Sequence, residues 1–130
     1  MILTIDIGNT NITFGVFDGD KLSLVSRPGT DRNRTDDQFA VEFLAVFKMH
    51  DLEPAEITGA VLSSVVPELT GKIKTAVNKV CGIEPVIIAP GVKTGLNILI
   101  DNPAELGADL VAGAVGAMAR YEMPAFVIDL

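Results

Sequence analysis

The order of strand-like and helix-like segments constrains the fold of this chain more than any other feature of its sequence. Three strand-like runs come first, and turn signals at residues 8–11 and 18–20 separate them as tight hairpins. Helix-like and strand-like segments then alternate to the end of the chain. We expect strands at 2–6, 12–17, 21–26, 59–65, 85–89, 96–100 (the weakest) and 125–129.

Start and stop signals mark the first two helices. Thr35 followed by Gln38 is a capping-box pattern, and it predicts where the first helix begins. Pro67 opens a second helix, which Gly82 ends. A strand meander followed by alternating strands and helices fits an α/β domain in which helices cover the faces of a mixed sheet.

Composition narrows the classes of function. Hydrophobic residues make up 48% of the chain and aromatic residues 5%, as in sheets that helices cover. The net charge is −7 and the ten basic residues are scattered, which disfavours nucleic-acid binding. A single cysteine, Cys81, suits a reducing compartment. With no basic leader and no long apolar run, we expect no signal peptide, no membrane span and a cytoplasmic location.

The turn after the first strand carries the clearest candidate chemistry. Asp6 ends the strand, Gly8 permits a tight turn, and Asn9, Thr10 and Asn11 add polar groups beside backbone N–H groups. Such a turn can hold phosphate oxygens, and the carboxylate can hold Mg²⁺ through water. The alternative is an ordinary asparagine-rich hairpin turn.

A second candidate lies in the third helix, which we expect to run from the N-cap Asn102 to about residue 121, with Pro103 and Glu105 as capping residues. Asp109 then lies one turn inside the helix, where Asp is a poor helix former. Helical spacing stacks it with the small residues Ala112, Gly113 and Gly116. Close packing against a strand explains such a face, and so does a general base facing a substrate.

Taken together, several segments resemble the type III pantothenate kinases. They are residues 6–11, 34–37, 62–67, 102–109 and 127–129, and their order and spacing agree with that family over all 130 residues. The resemblance implies the ribonuclease-H-like core shared by actin and the sugar kinases, in which the fold is duplicated. The run 127–130 echoes 4–8, so we expect an N-terminal domain at 1–124 and the first strand of a second, truncated domain at 125–130.

The resemblance also implies an activity: phosphorylation of pantothenate by Mg-ATP, the first step towards coenzyme A, in a homodimer that needs K⁺ or NH₄⁺. Asp109 becomes the proton acceptor, Asp129 the ligand of the monovalent cation, and Asp6 the residue that holds Mg²⁺ through water. The implied ATP-phosphate loop is Asp6, Ile7, Gly8, Asn9, Thr10, Asn11, Ile12 and Thr13. The implied substrate-binding residues are Ile100, Gly107, Ala108, Asp109 and Leu110.

Three positions depart from the family pattern. Leu110 stands where the family has Arg, Ile100 where it has Tyr, and Gly113 where it has Asn. An Arg would pair with the pantothenate carboxylate, and leucine offers no such partner. Three readings therefore stay open: a pantothenate kinase, a regulatory or altered-substrate relative that binds ATP, and another small-molecule kinase. We expect the isolated chain to be inactive.

Overall fold

Five strands form one mixed sheet. The computed structural model describes residues 1–89 and 92–128, and in them the strand order is β3-β2-β1-β4-β5. The β1–β2 and β2–β3 pairs are antiparallel, whereas β4 pairs in parallel with both β1 and β5. The strands are β1 (Ile2–Ile7), β2 (Ile12–Asp18), β3 (Lys21–Ser26), β4 (Gly59–Ser64) and β5 (Val86–Ile87).

Three α-helices accompany the sheet in the described residues: α1 (Asp36–Met49), α2 (Pro67–Cys81) and α3 (Ala108–Arg120). The predicted capping box opens α1, since the Thr35 hydroxyl accepts from the Gln38 N–H at 3.3 Å and Gln38 Oε1 accepts from the Thr35 N–H at 2.8 Å. Gly82, in the left-handed conformation, ends α2 as predicted. The predicted mixed sheet with helices on its faces is therefore confirmed.

The core lies between one face of the sheet and the helices α1 and α2. Alternate residues of β1 point into it, and Leu3 and Ile7 are completely buried. Phe14 of β2 meets Phe43 of α1 edge to face, with ring centroids 5.0 Å apart. The opposite sheet face carries the intervening residues, and α3 lies against β4. The sheet therefore separates the apolar core from an opposite face, where polar side chains can contact a ligand.

The third helical segment differs from its prediction. Asn102 precedes only a short 3₁₀ turn, Pro103–Glu105, and its side-chain amide donates to Glu105 Oε1 at 2.6 Å instead of capping a helix. Leu106 and Gly107 are then extended, with ψ of 123° and 144°, so the chain leaves the helical conformation. The helix α3 begins only at Ala108.

Two predicted strands are not seen in the described residues. Residues 96–100 and 125–128 have no strand pairing, and β5 covers only part of the predicted 85–89 segment. A strand needs a partner for its backbone hydrogen bonds, and the described part of the chain offers these two segments none. Within 1–89 and 92–128, no helix has both the length and the apolar character needed to cross a membrane.

Candidate functional site

A cavity of about 490 Å³ lies on the sheet face opposite the core. Asp6 enters it from the end of β1, and Thr13 and Ser63 flank Asp6 because they are its register partners on β2 and β4. Asp109 and Ala112 of α3 close the other side. The two carboxylates that the sequence singled out thus line one cavity.

Ser63 is a polar residue of this cavity that was not predicted as a site residue and appeared in the sequence only within the segment 62–67. It is 5% exposed, and its hydroxyl has no hydrogen-bond partner in the described part of the chain. Leaving a buried hydroxyl unpaired costs roughly 1–3 kcal/mol. The only sequence signal was a serine at a strand position that faces away from the apolar core.

The loop between β1 and β2, residues 8–11, leaves successive backbone N–H groups available to a ligand. The Gly8 N–H donates to the Asn11 carbonyl at 3.0 Å, and a Cβ on Gly8 would lie 3.0 Å from that oxygen, so the turn favours glycine. Within the described residues, the N–H groups of Asn9, Thr10 and Asn11 donate no hydrogen bond. Successive free N–H groups attract anions.

The remaining residues of the predicted ATP-phosphate loop lie in different surroundings. Ile7 and Ile12 bury their side chains in the core, at 0% and 1% exposure, so only their backbone groups can face a ligand. Thr13 lines the cavity beside Asp6. The eight residues from Asp6 to Thr13 therefore divide into core anchors, an exposed turn and two cavity side chains.

A second segment, residues 28–32, holds this loop in place. The Thr30 hydroxyl donates to the Gly8 carbonyl at 2.7 Å, and the Thr30 N–H donates to the Thr10 carbonyl at 2.9 Å. The Ile12 N–H donates to the Pro28 carbonyl at 2.9 Å. These bonds fix the turn before any ligand arrives.

Asp109 is in the first turn of α3, not a turn inside the helix as predicted. Its Oδ1 accepts from the Leu110 N–H at 2.8 Å, and a carboxylate is favourable at a helix N-terminus. Gly107 leaves room for it, because a Cβ on Gly107 would overlap the Asp109 carboxylate oxygen. Glycine at 107 and the helix start therefore set the position of this carboxylate together.

The remaining predicted substrate residues do not share the Asp109 cavity. Gly107 and Ala108 line a second cavity of about 350 Å³, with Ser64 on its wall. Ile100 and Leu110 are 48% and 43% exposed and line neither cavity. The structure thus divides the predicted substrate segment between two cavities and the surface.

Within residues 1–89 and 92–128, nothing packs tightly against the glycines of the small-residue face of α3, so close packing against a strand does not explain this face. The alternative, that this face meets a substrate, stays a prediction. A Cβ on Gly113 would lie 3.8 Å from Val127, an ordinary contact, and a Cβ on Gly116 would meet nothing within 4 Å. Ala112 alone of that face lines the Asp109 cavity. The helix start and Gly107 position Asp109, whereas Gly113 and Gly116 do not.

Cys81 at the end of α2 is not suited to nucleophilic chemistry. Burial raises the pKa of its thiol to about 11, so the thiol stays protonated near neutral pH. Among residues 1–89 and 92–128, no three His, Cys, Asp or Glu side chains cluster as ligands of a metal ion.

Comparison with known proteins decides the family. The family model described as type III pantothenate kinase matches residues 2–130. The chain belongs to the type III pantothenate kinase family. It is 43% identical over 129 residues to the type III pantothenate kinases of Listeria welshimeri and of Listeria monocytogenes serotype 4a, covering 99% of this chain and 50% of theirs. The chain therefore spans about half the length of these relatives.

A solved structure supports the fold of this pantothenate kinase family member. The crystal structure of ROK hexokinase from Thermus thermophilus superposes with a TM-score of 0.50 at 17% identity, over 66% of this chain and 32% of the hexokinase. The chain thus has the actin-like, ribonuclease-H-like fold that its sequence predicted. Asp129, the residue expected to bind the monovalent cation, lies outside the described residues.

Proposed function

We propose that the full-length protein containing this chain phosphorylates pantothenate with Mg-ATP, the first step towards coenzyme A. The observation that carries the proposal is the single cavity that Asp6 and Asp109 share, at the end of the strand that leads into an anion-binding turn. Family membership supplies the substrate, since the matched relatives are named type III pantothenate kinases.

The residues present fit the polyphosphate of Mg-ATP. Free N–H groups at Asn9, Thr10 and Asn11 suit phosphate oxygens, and the exposed Asp6 carboxylate at the strand end suits a hydrated Mg²⁺. Bound Mg²⁺ supplies positive charge to the phosphoryl group being transferred. Asp6 would hold the water shell of that ion, and the turn would orient the phosphates.

Asp109 is the proton acceptor of the proposed reaction. Its carboxylate faces the cavity from the start of α3, and the Leu110 N–H holds one of its oxygens. An acceptor hydroxyl in the cavity would give its proton to this carboxylate as it attacks. General-base assistance of this kind contributes roughly 10²–10⁴-fold to a rate.

Half of the proposed site belongs to a second domain, which begins at residues 125–130. In this superfamily the nucleotide lies between two domains, and each contributes phosphate contacts. We further propose that the full-length protein is a homodimer and that Asp129 holds K⁺ or NH₄⁺. Without the second domain the positioning on which phosphoryl transfer depends is lost, so residues 1–130 alone should not turn over ATP.

A second candidate function is ATP binding by a regulatory or altered-substrate member of the family. Its support is local: Leu110 is an exposed apolar side chain outside both cavities, where the family has Arg. Loss of a charge-assisted pair with the pantothenate carboxylate costs roughly 1.5–3 kcal/mol. That energy corresponds to about ten- to hundredfold weaker pantothenate binding.

An acceptor assay separates the two candidates. Full-length protein, its Leu110→Arg variant and isolated residues 1–130 are incubated with Mg-ATP and pantothenate, and phosphopantothenate is measured by mass spectrometry. A pantothenate kinase gives product with the full-length protein, a lower KM for pantothenate with Leu110→Arg, and none with residues 1–130. ATP binding without product in both full-length proteins would favour the regulatory reading.

A further inference from the structure

Arg32 contacts the turn 8–11 from the neighbouring segment 28–32. Its Nη2 donates to the side-chain oxygen of Asn9 at 3.2 Å. Within residues 1–89 and 92–128, it is the one basic side chain that hydrogen-bonds a residue of the turn 8–11. The Thr30 bonds to Gly8 and Thr10 fix the segment that carries it.

The contact between Arg32 and Asn9 decides which way the Asn9 amide faces. Because Asn9 Oδ1 accepts from Arg32, its NH₂ group is turned away with two donors available. Those donors join the free backbone N–H groups of the same turn. The turn thus presents several donors, which is what a phosphate oxygen requires.

The charged residues near Arg32 leave most of its guanidinium group available to a ligand. Glu68 lies 3.9 Å from Arg32 Nη1, and both side chains are more than half exposed, so this ion pair is weak. Lys72 adds a second cation, since its Nζ donates to the Arg32 carbonyl at 2.9 Å. One oxygen of Asp31 accepts from the Asn33 N–H at 2.9 Å.

We propose that Arg32 is a phosphate-binding residue: it orients Asn9 and places its guanidinium against the polyphosphate of the nucleotide. Arginine suits this role because its planar fork can hold two phosphate oxygens at once. The inference rests on the proposed function, which places the nucleotide phosphates at the turn. The alternative is that Arg32 only forms a surface ion pair with Glu68 and has no part in nucleotide binding.

Calorimetric titration of the full-length protein distinguishes these readings. Mg-ATP and adenosine are titrated into wild type, Arg32→Ala, Arg32→Lys, Glu68→Gln and the control Lys74→Ala. The control removes a cation of similar exposure from another surface ion pair, Lys74–Glu84 at 2.8 Å. Thermal denaturation of each variant checks that it is folded.

We expect Arg32→Ala to weaken Mg-ATP binding about tenfold, the lower end for loss of a charge-assisted contact, and to leave adenosine binding within about twofold. Arg32→Lys should fall between, since it keeps the charge but loses the fork. Removing the competing carboxylate in Glu68→Gln should leave Mg-ATP binding unchanged or tighter.

Two outcomes overturn the inference in different ways. Equal Mg-ATP affinity in Arg32→Ala and Lys74→Ala, with wild-type binding intact, refutes a role for Arg32 and leaves the proposed function standing. Equal losses of Mg-ATP affinity in Arg32→Ala and Glu68→Gln also refute it, because they indicate a structural ion pair. Absence of Mg-ATP binding by wild type refutes the proposed function as well.

Discussion

Gly107→Ala should separate the position of the Asp109 carboxylate from the stability of the fold. A Cβ at residue 107 would overlap Asp109 Oδ1, the oxygen that accepts from the Leu110 N–H. The backbone itself tolerates the change, since Gly107 has φ of −59° and ψ of 144°, a conformation open to alanine. The least costly response is for the carboxylate to rotate away.

The two expected effects of Gly107→Ala on the unfolding free energy oppose each other. Replacing glycine with alanine at an allowed conformation stabilises a protein by roughly 0.4–1 kcal/mol, and alanine is a poorer N-cap than glycine by a similar amount. Unfolding free energy should therefore change by less than about 1 kcal/mol. Displacing a catalytic group by about 1 Å costs on the order of 10²-fold, so under the proposed function kcat of the full-length protein should fall by that factor.

Urea denaturation and steady-state kinetics of the full-length protein measure the two effects. Gly116→Ala is the matched control: it lies inside α3 with nothing within 4 Å of the added Cβ, so it should gain about 1 kcal/mol of helix stability and keep its activity. If Asp109→Asn abolishes activity while Gly107→Ala retains it, glycine at 107 does not position the carboxylate and this reasoning is refuted.

Two further predictions concern stability. Ser63→Ala removes the unpaired buried hydroxyl, so unfolding free energy should stay level or rise by about 1 kcal/mol; a fall of more than that in urea denaturation would show that the hydroxyl has a partner. Hydrogen bonding to Lys79 lowers the pKa of Asp36, so this carboxylate contributes stability above its ordinary pKa, and the contribution is lost as the pH falls through the lowered folded value. Lys79→Met should thus be less stable than wild type at pH 7, with the difference in unfolding free energy narrowing as the pH falls below about 4, and a difference that does not narrow would contradict this.

Local signals predicted the parts of the fold that local bonds build. The capping box at Thr35, the glycine stop at Gly82 and the hairpin at Gly19 all depend on residues a few positions apart, and each is present. The order of elements then predicted the mixed sheet. Strands joined by tight turns pair antiparallel, whereas a parallel pair such as β1 and β4 needs a long crossover connection, which is usually helical.

Distant contacts were harder to foresee. The segments 96–100 and 125–128 have strand-like composition, but strand formation depends on a partner that composition does not reveal. Asp109 lines the cavity from the first turn of α3 and not from one turn inside the helix, since the extended Gly107 moves the helix start next to it. Ser63 and Arg32 became visible only once register and loop packing placed them.

The most direct test of the central claim is the dependence of phosphopantothenate formation on Asp109. Full-length wild type and Asp109→Asn are compared with Mg-ATP and pantothenate, and Mg-ATP affinity is measured in parallel. The account predicts product from wild type, at least about a 100-fold lower kcat for Asp109→Asn, and equal Mg-ATP affinity in both. Product formation that survives Asp109→Asn, or a wild type that binds Mg-ATP without phosphorylating pantothenate, would contradict it.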